Sequence, residues 1–423
     1  METKRSNAWT WVPSLYFAQG LPYIVVIIVS TVIYKNLGLS NSQIAFYTGW
    51  FYLPWVIKPF WSPFVDHFKS KRLWILSTQM IMGVLLAMVG LSLPTDNFIK
   101  WSIIGFWLIA FSSATHDIAA DGFYMLGLND HQQSFFVGIR NTFWRIAAIA
   151  GQGGLVYLSG ILIENGKNAQ YAWMIVLLIT GIIYFGIGAY HKWIMPRPIS
   201  DPDRKIGKAT EAIAEYFKTF VSFFKHKNIF VFLLFILFYR LAEAQLSKMA
   251  APFLLDTTEV GGLGLNNEQV GWAYGTIGVI GLVLGGILGG IAVSRKGLKY
   301  WMWPMALALN LPNLSYLYMA VFQPNNIILV QLLIAIEQFG YGFGFTAFTL
   351  YLIYFVQGQN RTSHYAIATG LMALGMMVPG MLSGWIQEQL NYVNFFIWIM
   401  VCTIPGFVLI PFLKIETNFG KKK

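Results

Sequence analysis

Charge and cysteine are what this chain has least of. Among 423 residues there is one cysteine, Cys402, and only 11% are Asp, Glu, Lys or Arg, against roughly 25% in an ordinary soluble domain. One cysteine excludes an internal disulfide and a thiolate metal cluster. So few charges beside 56% hydrophobic residues exclude a soluble fold, because the apolar surface outruns any polar shell that could cover it. Catalytic signatures are missing too: there is no Gly-x-Ser-x-Gly elbow, no His-Glu-x-x-His pair and no phosphate loop. The glycine-rich run 281–290 lacks both the Lys-Ser/Thr ending and a preceding strand. No cofactor or metal is expected. His116-Asp117 invites a hydrolase or acyltransferase reading with the imidazole as general base, but no aqueous domain accompanies it.

What is present is long apolar runs, twelve of them, at 10–34, 43–65, 73–93, 98–122, 134–162, 171–194, 229–255, 268–293, 300–322, 327–356, 364–388 and 392–413. Each approaches or exceeds the roughly 20 residues that carry a helix across a hydrocarbon core. Lipid leaves the backbone only helices or closed barrels, and the alternation of barrel strands is absent. The expected class is an all-α integral membrane protein of twelve transmembrane helices. The first run is too long for a secretion signal and lacks a small-x-small cleavage site, so it reads as a retained helix.

The net charge of +11 is topological. With the amino terminus inside, 21 of the 29 basic residues fall on cytoplasmic intervals and 3 (Lys35, Lys100, Lys167) on outer ones. That asymmetry follows the positive-inside rule and sets both termini in the cytoplasm. No polybasic face interleaved with aromatics supports nucleic-acid binding. The longest polar interval, 195–228, with Pro196, Pro198 and Pro202, separates six runs from six. It predicts a cytoplasmic linker between bundles at 1–194 and 229–423, with an amphipathic stretch over 209–224 suited to the membrane surface.

An internal repeat supports that division. Leu37-Gly-Leu-Ser-Asn-Ser-Gln43-Ile44 matches Leu263-Gly-Leu-Asn-Asn-Glu-Gln269-Val270, Ala18-Gln19 matches Ala244-Gln245, and Leu158-Ser-Gly matches Leu382-Ser-Gly, all at nearly one offset. The Ser40/Gln43 and Asn266/Gln269 spacings predict helix-starting capping boxes. Two parallel six-helix halves are the arrangement of major facilitator transporters. The loop carrying Asp66, Lys71 and Arg72 resembles that superfamily's inner-loop motif, with Ser62 and His67 departing from it. Leu15–Pro22, Leu53–Asp66, Ala114–Asp121 and Ile336–Phe348 resemble AmpG-type muropeptide permeases and the related acetyl-coenzyme A transporters. The resemblance implies secondary transport of a bulky polar solute, in the bacterial branch inward with protons. Asp121-Gly122-Phe123-Tyr124 departs from that branch's Asp-Ala-Tyr-Arg.

Charges inside spans carry the functional reading, since each costs at least roughly 2.5–3.5 kcal/mol in hydrocarbon and normally faces a bundle interior or aqueous path. Asp117 and Asp121, four apart, share one helix face. With Lys58, Arg145 and the inner-loop Asp66 they read as an inner gate or a fold-holding network. Arg240, Glu243 and Glu337 read as the binding and proton-coupling centre, with Lys248 further out and Gln19 and Gln245 at repeat-equivalent positions. A carboxylate beside a cation can take up or release a proton as its surroundings change. An inert Arg240–Glu243 pair at i, i+3 is the alternative. Trp50, Trp55, Trp61, Tyr239, Tyr341 and Tyr351 stand near these charges and offer faces for sugar rings. Mid-membrane cations suit muropeptides, anionic siderophores and coenzyme A esters alike. The partners expected are a small solute, protons and the bilayer, around a monomer.

Overall fold

The computed structural model describes residues 7–67, 69–128, 130–197, 201, 217, 218, 220–356 and 361–421. Among them all regular structure is helical, and ten helices are long and apolar enough to cross a membrane. In chain order these are α1 (Ala8–Asn36), α3 (Lys71–Ser92), α4 (Phe98–Gly127), α5 (Ile139–Glu164), α6 (Ala169–Ile194), α7 (Ile229–Leu255), α8 (Asn267–Lys296), α9 (Leu298–Phe322), α10 (Ile327–Phe355) and the stretch Ile367–Phe412. That last stretch divides at Asn391, whose backbone is left-handed (φ 60°, ψ 173°). The Asn391 side chain accepts from the Asn394 amide at 3.1 Å and starts a new helix, so residues 361–390 are α11 and 392–412 are α12.

The second apolar run differs from expectation. Instead of one span it gives α2 (Asn41–Trp50), a short helix Leu53–Ile57, a tight turn Lys58–Phe60 and a last short helix Ser62–His67. Pro54 and Pro59 are the physical reason, since each removes an amide donor and crowds the preceding turn, and Pro63 lacks an amide donor as well. With α11 and α12 counted separately and this run included, the helices are consistent with twelve crossings.

Both expected capping boxes form. The Ser40 hydroxyl accepts from Gln43 N while the Gln43 side chain returns to Ser40 N, opening α2; Asn266 and Gln269 do the same for α8. Gly281, Gly285 and Gly289 of α8 lie against the α10 backbone, where a Cβ at Gly285 would strike the Phe339 carbonyl. This is the close approach that the glycine run predicts.

By its contacts the chain forms two compact units, Met1–Ile33 with Ile57–Tyr216, and Tyr34–Val56 with Phe217–Lys423. The segment Tyr34–Val56, which precedes the linker in sequence, therefore packs with the second unit, where Gly49 abuts Met381 and Gly384 abuts the Asn41 backbone. In the first unit Trp11, Leu15 and Tyr16 of α1 meet Ile75 of α3 and Ala119, Ala120 and Phe123 of α4. In the second, Leu246, Met249 and Phe253 of α7 meet Tyr316 of α9, Ile334 of α10 and Phe396 of α12. The repeat-equivalent helices α1 and α7 are the two most enclosed, whereas α8 turns most of its surface outward. Polar groups on α1 and α7 are thereby kept off the lipid. Most of the expected amphipathic stretch 209–224 lies outside the described residues; Phe220–Phe224 is helical.

Candidate functional site

In the first unit spans two and four meet through a charged pair. Lys58 Nζ lies 3.7 Å from Asp117 Oδ2, with both side chains partly exposed. The turn Lys58–Phe60 carries the lysine, so the interruption of this run positions the charge. Asp121, one helical turn beyond Asp117, accepts from the Tyr16 hydroxyl at 3.1 Å and meets Arg140 Nη2 at 3.4 Å. Arg140 in turn stacks over the rings of Tyr16 (4.5 Å) and Tyr124 (5.1 Å). Arg145 stands half-buried on the same helix, five residues on.

Sequence reasoning gave no role to Arg140, one of the five basic residues in or at the ends of spans. Its aromatic partners come from α1 and α4, and nothing local marks them. The Asp66 side chain lies outside the described residues. A carboxylate does tie the inner-loop region together, but it comes from the linker. Asp201 accepts from the amides of Lys71 (2.8 Å) and Arg72 (3.0 Å), first-turn donors of α3 that have no intrahelical acceptor.

His116 is fully buried and bonded through Nε2 to the Gln79 amide at 3.0 Å. Gln79 Oε1 meets His191 Nδ1 at 2.9 Å, and His191 Nε2 meets Ser14 Oγ at 2.9 Å. This chain joins α1, α3, α4 and α6. Gln19 of α1 is buried, and among the described residues its Oε1 meets no donor. Its counterpart Gln245 is fully engaged: the Trp398 indole donates to Oε1 at 2.9 Å, and its amide donates to the Leu241 carbonyl and Cys402 Sγ. The two repeat positions have therefore diverged, one open and one pinned.

The second unit holds the tighter centre. Helix α7 is interrupted at Tyr239–Arg240, and Leu241–Leu255 restarts with Arg240 as its cap residue (φ −109°, ψ 17°). Glu243 thus stands in the first turn of a half-helix, whose positive end favours a carboxylate. Arg240 grips it bidentately, Nε to Oε2 and Nη2 to Oε1, each at 2.6 Å. Nη2 also donates to the Tyr341 hydroxyl at 3.0 Å, and the guanidinium lies 4.6 Å from the Phe345 ring centre and 5.6 Å from that of Phe348. Of the aromatics singled out above, Tyr341 touches a candidate charge directly.

Glu337 of α10 is buried, accepts from the Gln338 amide at 3.0 Å and lies within electrostatic reach of Glu243. Lys248 is buried as well. Its ammonium donates to the carbonyl and hydroxyl of Thr48 at 3.1 Å each and lies over the Tyr52 ring. It pins α2 rather than reaching for the membrane surface.

A multi-pass helical protein with an internal repeat, a broken helix and charges gathered inside its bundles is a membrane transporter rather than an enzyme. The chain belongs to the Major Facilitator Superfamily, whose family model matches residues 14–378. Its relatives include "Putative transporter AmpG 4" of Rickettsia conorii, 22% identical over 412 residues and covering 96% of both chains. Another is the anhydromuropeptide permease of Escherichia coli K12, 24% identical over 403 residues, covering 94% of this chain and 77% of that one. Among solved structures, the nucleoside transporter NupG superposes with a TM-score of 0.72 at 15% identity, covering 96% of this chain and 100% of its own. A D-xylose–proton symporter gives 0.64 at 15% identity, covering 98% and 99%. These superpositions show the shared fold.

Proposed function

We propose that this chain is a proton-driven secondary transporter of the cell inner membrane, importing a bulky anionic solute of the anhydromuropeptide kind by alternating access. It works as a monomer with both termini in the cytoplasm and needs no cofactor. The observation that carries this reading is the Arg240–Glu243 pair with Glu337 nearby, buried charge in a chain whose relatives include an anhydromuropeptide permease. A guanidinium matches a carboxylate or phosphate at two points, and a muropeptide carries carboxylates. The carboxylates of Glu243 and Glu337 carry the coupling proton, and Gln19 offers the solute an open acceptor. Lys58, Asp117, Asp121, Arg145 and Asp66 form the inner gate, now joined by Arg140.

The test is uptake of a labelled anhydromuropeptide into liposomes containing the purified chain, with an inwardly directed proton gradient. Accumulation should collapse when a protonophore is added. Uptake indifferent to the gradient, or stimulated only by ATP, refutes proton drive. Uptake of a siderophore or coenzyme A ester in place of the muropeptide reassigns the solute.

A further inference from the structure

Two arginines share a cavity where α3 starts and the chain leaves α6. It measures about 260 Å³ and is lined by Ser70, Arg72, Arg197 and Asp201. The amides at this end of α3 are already taken, because Asp201 spends both carboxylate oxygens on Lys71 N and Arg72 N. What the cavity offers an anion is therefore its guanidinium groups. Arg72 is held in place by α6, with Nε donating to the Met195 carbonyl at 3.3 Å and Nη2 to the Lys192 carbonyl at 2.5 Å. These bonds use two of its five N–H groups, and the Nη1 pair takes no part in them. Arg197 lies within electrostatic reach of the same guanidinium and crowds it more than Asp201 relieves it. Two cations and one carboxylate leave a single positive charge, which one monoanion balances.

The surroundings say which kind of anion. Leu73, next to Arg72, is exposed, and Trp193, next to the Lys192 carbonyl that Arg72 holds, is 85% exposed. From there α3 and α6 run in close contact, since a Cβ at Gly83 would strike Phe185 N and one at Gly181 the Gly83 carbonyl. Val84 and Met88 of α3 and Ile182 and Ile183 of α6 face outward along the pair. An apolar seam thus leads away from the arginines, with an indole at the level where spans place one. A free anion gains nothing from that seam, and an anion carried on acyl chains does. We propose that Arg72 and Arg197 hold the phosphodiester of an anionic phospholipid, whose chains lie against the outer faces of α3 and α6. Arginine suits a phosphate because its planar fork meets two oxygens at once, and basic pockets between spans recognise lipid headgroups in this way. A zwitterionic headgroup brings an ammonium to the same two cations and fits less well. This lipid site goes beyond the transport reading and is independent of the solute.

Binding of radiolabelled phosphatidylglycerol to the immobilised full chain in a neutral detergent tests this, with unlabelled lipids and salts as competitors. Phosphatidylglycerol should compete at least about fivefold better than phosphatidylethanolamine of the same chains, the factor that one basic side chain is worth at a membrane surface. Arg197→Gln should remove most of that preference. Arg197 is exposed on the segment after α6, so this variant decides the matter even if Arg72→Gln, which also releases the end of α6, fails to fold. Lys299→Gln removes an exposed cation in the second unit and should leave the preference unchanged. Sodium phosphate should displace no more lipid than sodium chloride at equal ionic strength. Equal competition by the two lipids, a preference kept in Arg197→Gln, or one lost equally in Lys299→Gln overturns the site. Inorganic phosphate that competes as phosphatidylglycerol does overturns the lipid as the source of the anion. None of these results touches the uptake assay above, and failed uptake leaves the lipid site standing.

Discussion

Asp256 Oδ1 lies 2.5 Å from Lys35 Nζ, while its Oδ2 accepts from the Tyr392 hydroxyl at 2.6 Å and the Asn41 amide at 3.2 Å. One carboxylate at the end of α7 therefore fastens the segment 34–56 and the first turn of α12 together. Asn41 extends the clasp to Gln387 at 2.7 Å, and Ser42 N donates to Glu388 at 2.7 Å. Removing one acceptor of several charge-assisted bonds costs about 1–3 kcal/mol. Asp256→Ala should thus loosen residues 34–56. A cysteine at Ser42 in a Cys402→Ser background should react faster with a hydrophilic thiol reagent in this variant than in wild type. Equal rates would mean that apolar packing alone holds the segment.

The Lys58–Asp117 pair is long and partly exposed, so a double-mutant cycle of Lys58→Met and Asp117→Asn should give a coupling of about 1 kcal/mol or less. Each single variant should slow uptake, and the double should recover part of it. Solute affinity should stay within about twofold, a free-energy change of a few tenths of a kcal/mol. A large loss of affinity without rescue would move both residues from gate to binding site.

Gln19 and Gln245 separate binding from folding. Gln245→Ala strands the Trp398 indole N–H and should cost about 1–3 kcal/mol in stability, read as a lower denaturation midpoint, with solute affinity kept in the folded fraction. Gln19→Ala removes an acceptor that has no partner among the described residues, so it should leave stability unchanged and weaken solute binding. The opposite pattern would reverse the two roles.

Glu337→Gln keeps the shape of the side chain and removes its ability to change charge. Gradient-driven accumulation should be lost while exchange of labelled for unlabelled solute across the liposome persists. Wild-type accumulation by this variant would pass the coupling role to Glu243 alone.

The Ser14–His191–Gln79–His116 chain links four helices through three contacts of 2.9–3.0 Å and leaves His116 Nδ1 without a partner among the described residues. Gln79→Leu removes its centre, and the loss of several buried bonds should cost at least about 2 kcal/mol. Thermal unfolding in detergent measures it, and an unchanged midpoint would make the chain ornamental.

What the sequence made legible is what depends on local period and spacing. Apolar length marked the spans, the Ser40/Gln43 and Asn266/Gln269 spacings marked two helix starts, and Arg240–Glu243 at i, i+3 marked a pair that does form. Lys58 and Asp117 were legible as members of one charge network, though not as direct partners. What stayed hidden are contacts that only tertiary packing creates. Arg140 finds Tyr16 and Asp121 from other helices, Asp201 reaches back from the linker to α3, and Lys35 meets Asp256 across most of the chain. The broken second run was written in Pro54 and Pro59, but apolar length outweighed them in the reading. The break at Arg240 has neither proline nor glycine at Tyr239–Arg240 to announce it.

Asn391 is the whole connection between α11 and α12. With a single left-handed residue for a joint, the end of α11 and the start of α12 are held side by side. Asn41 bonds to both sides of that joint, through Gln387 and Tyr392. Further along α12, the Trp398 indole donates to Gln245 on the same half-helix that carries Glu243. A row of side-chain bonds thus runs from the clasp at the end of α7, through Asn41 and α12, back to the half-helix of the charged centre.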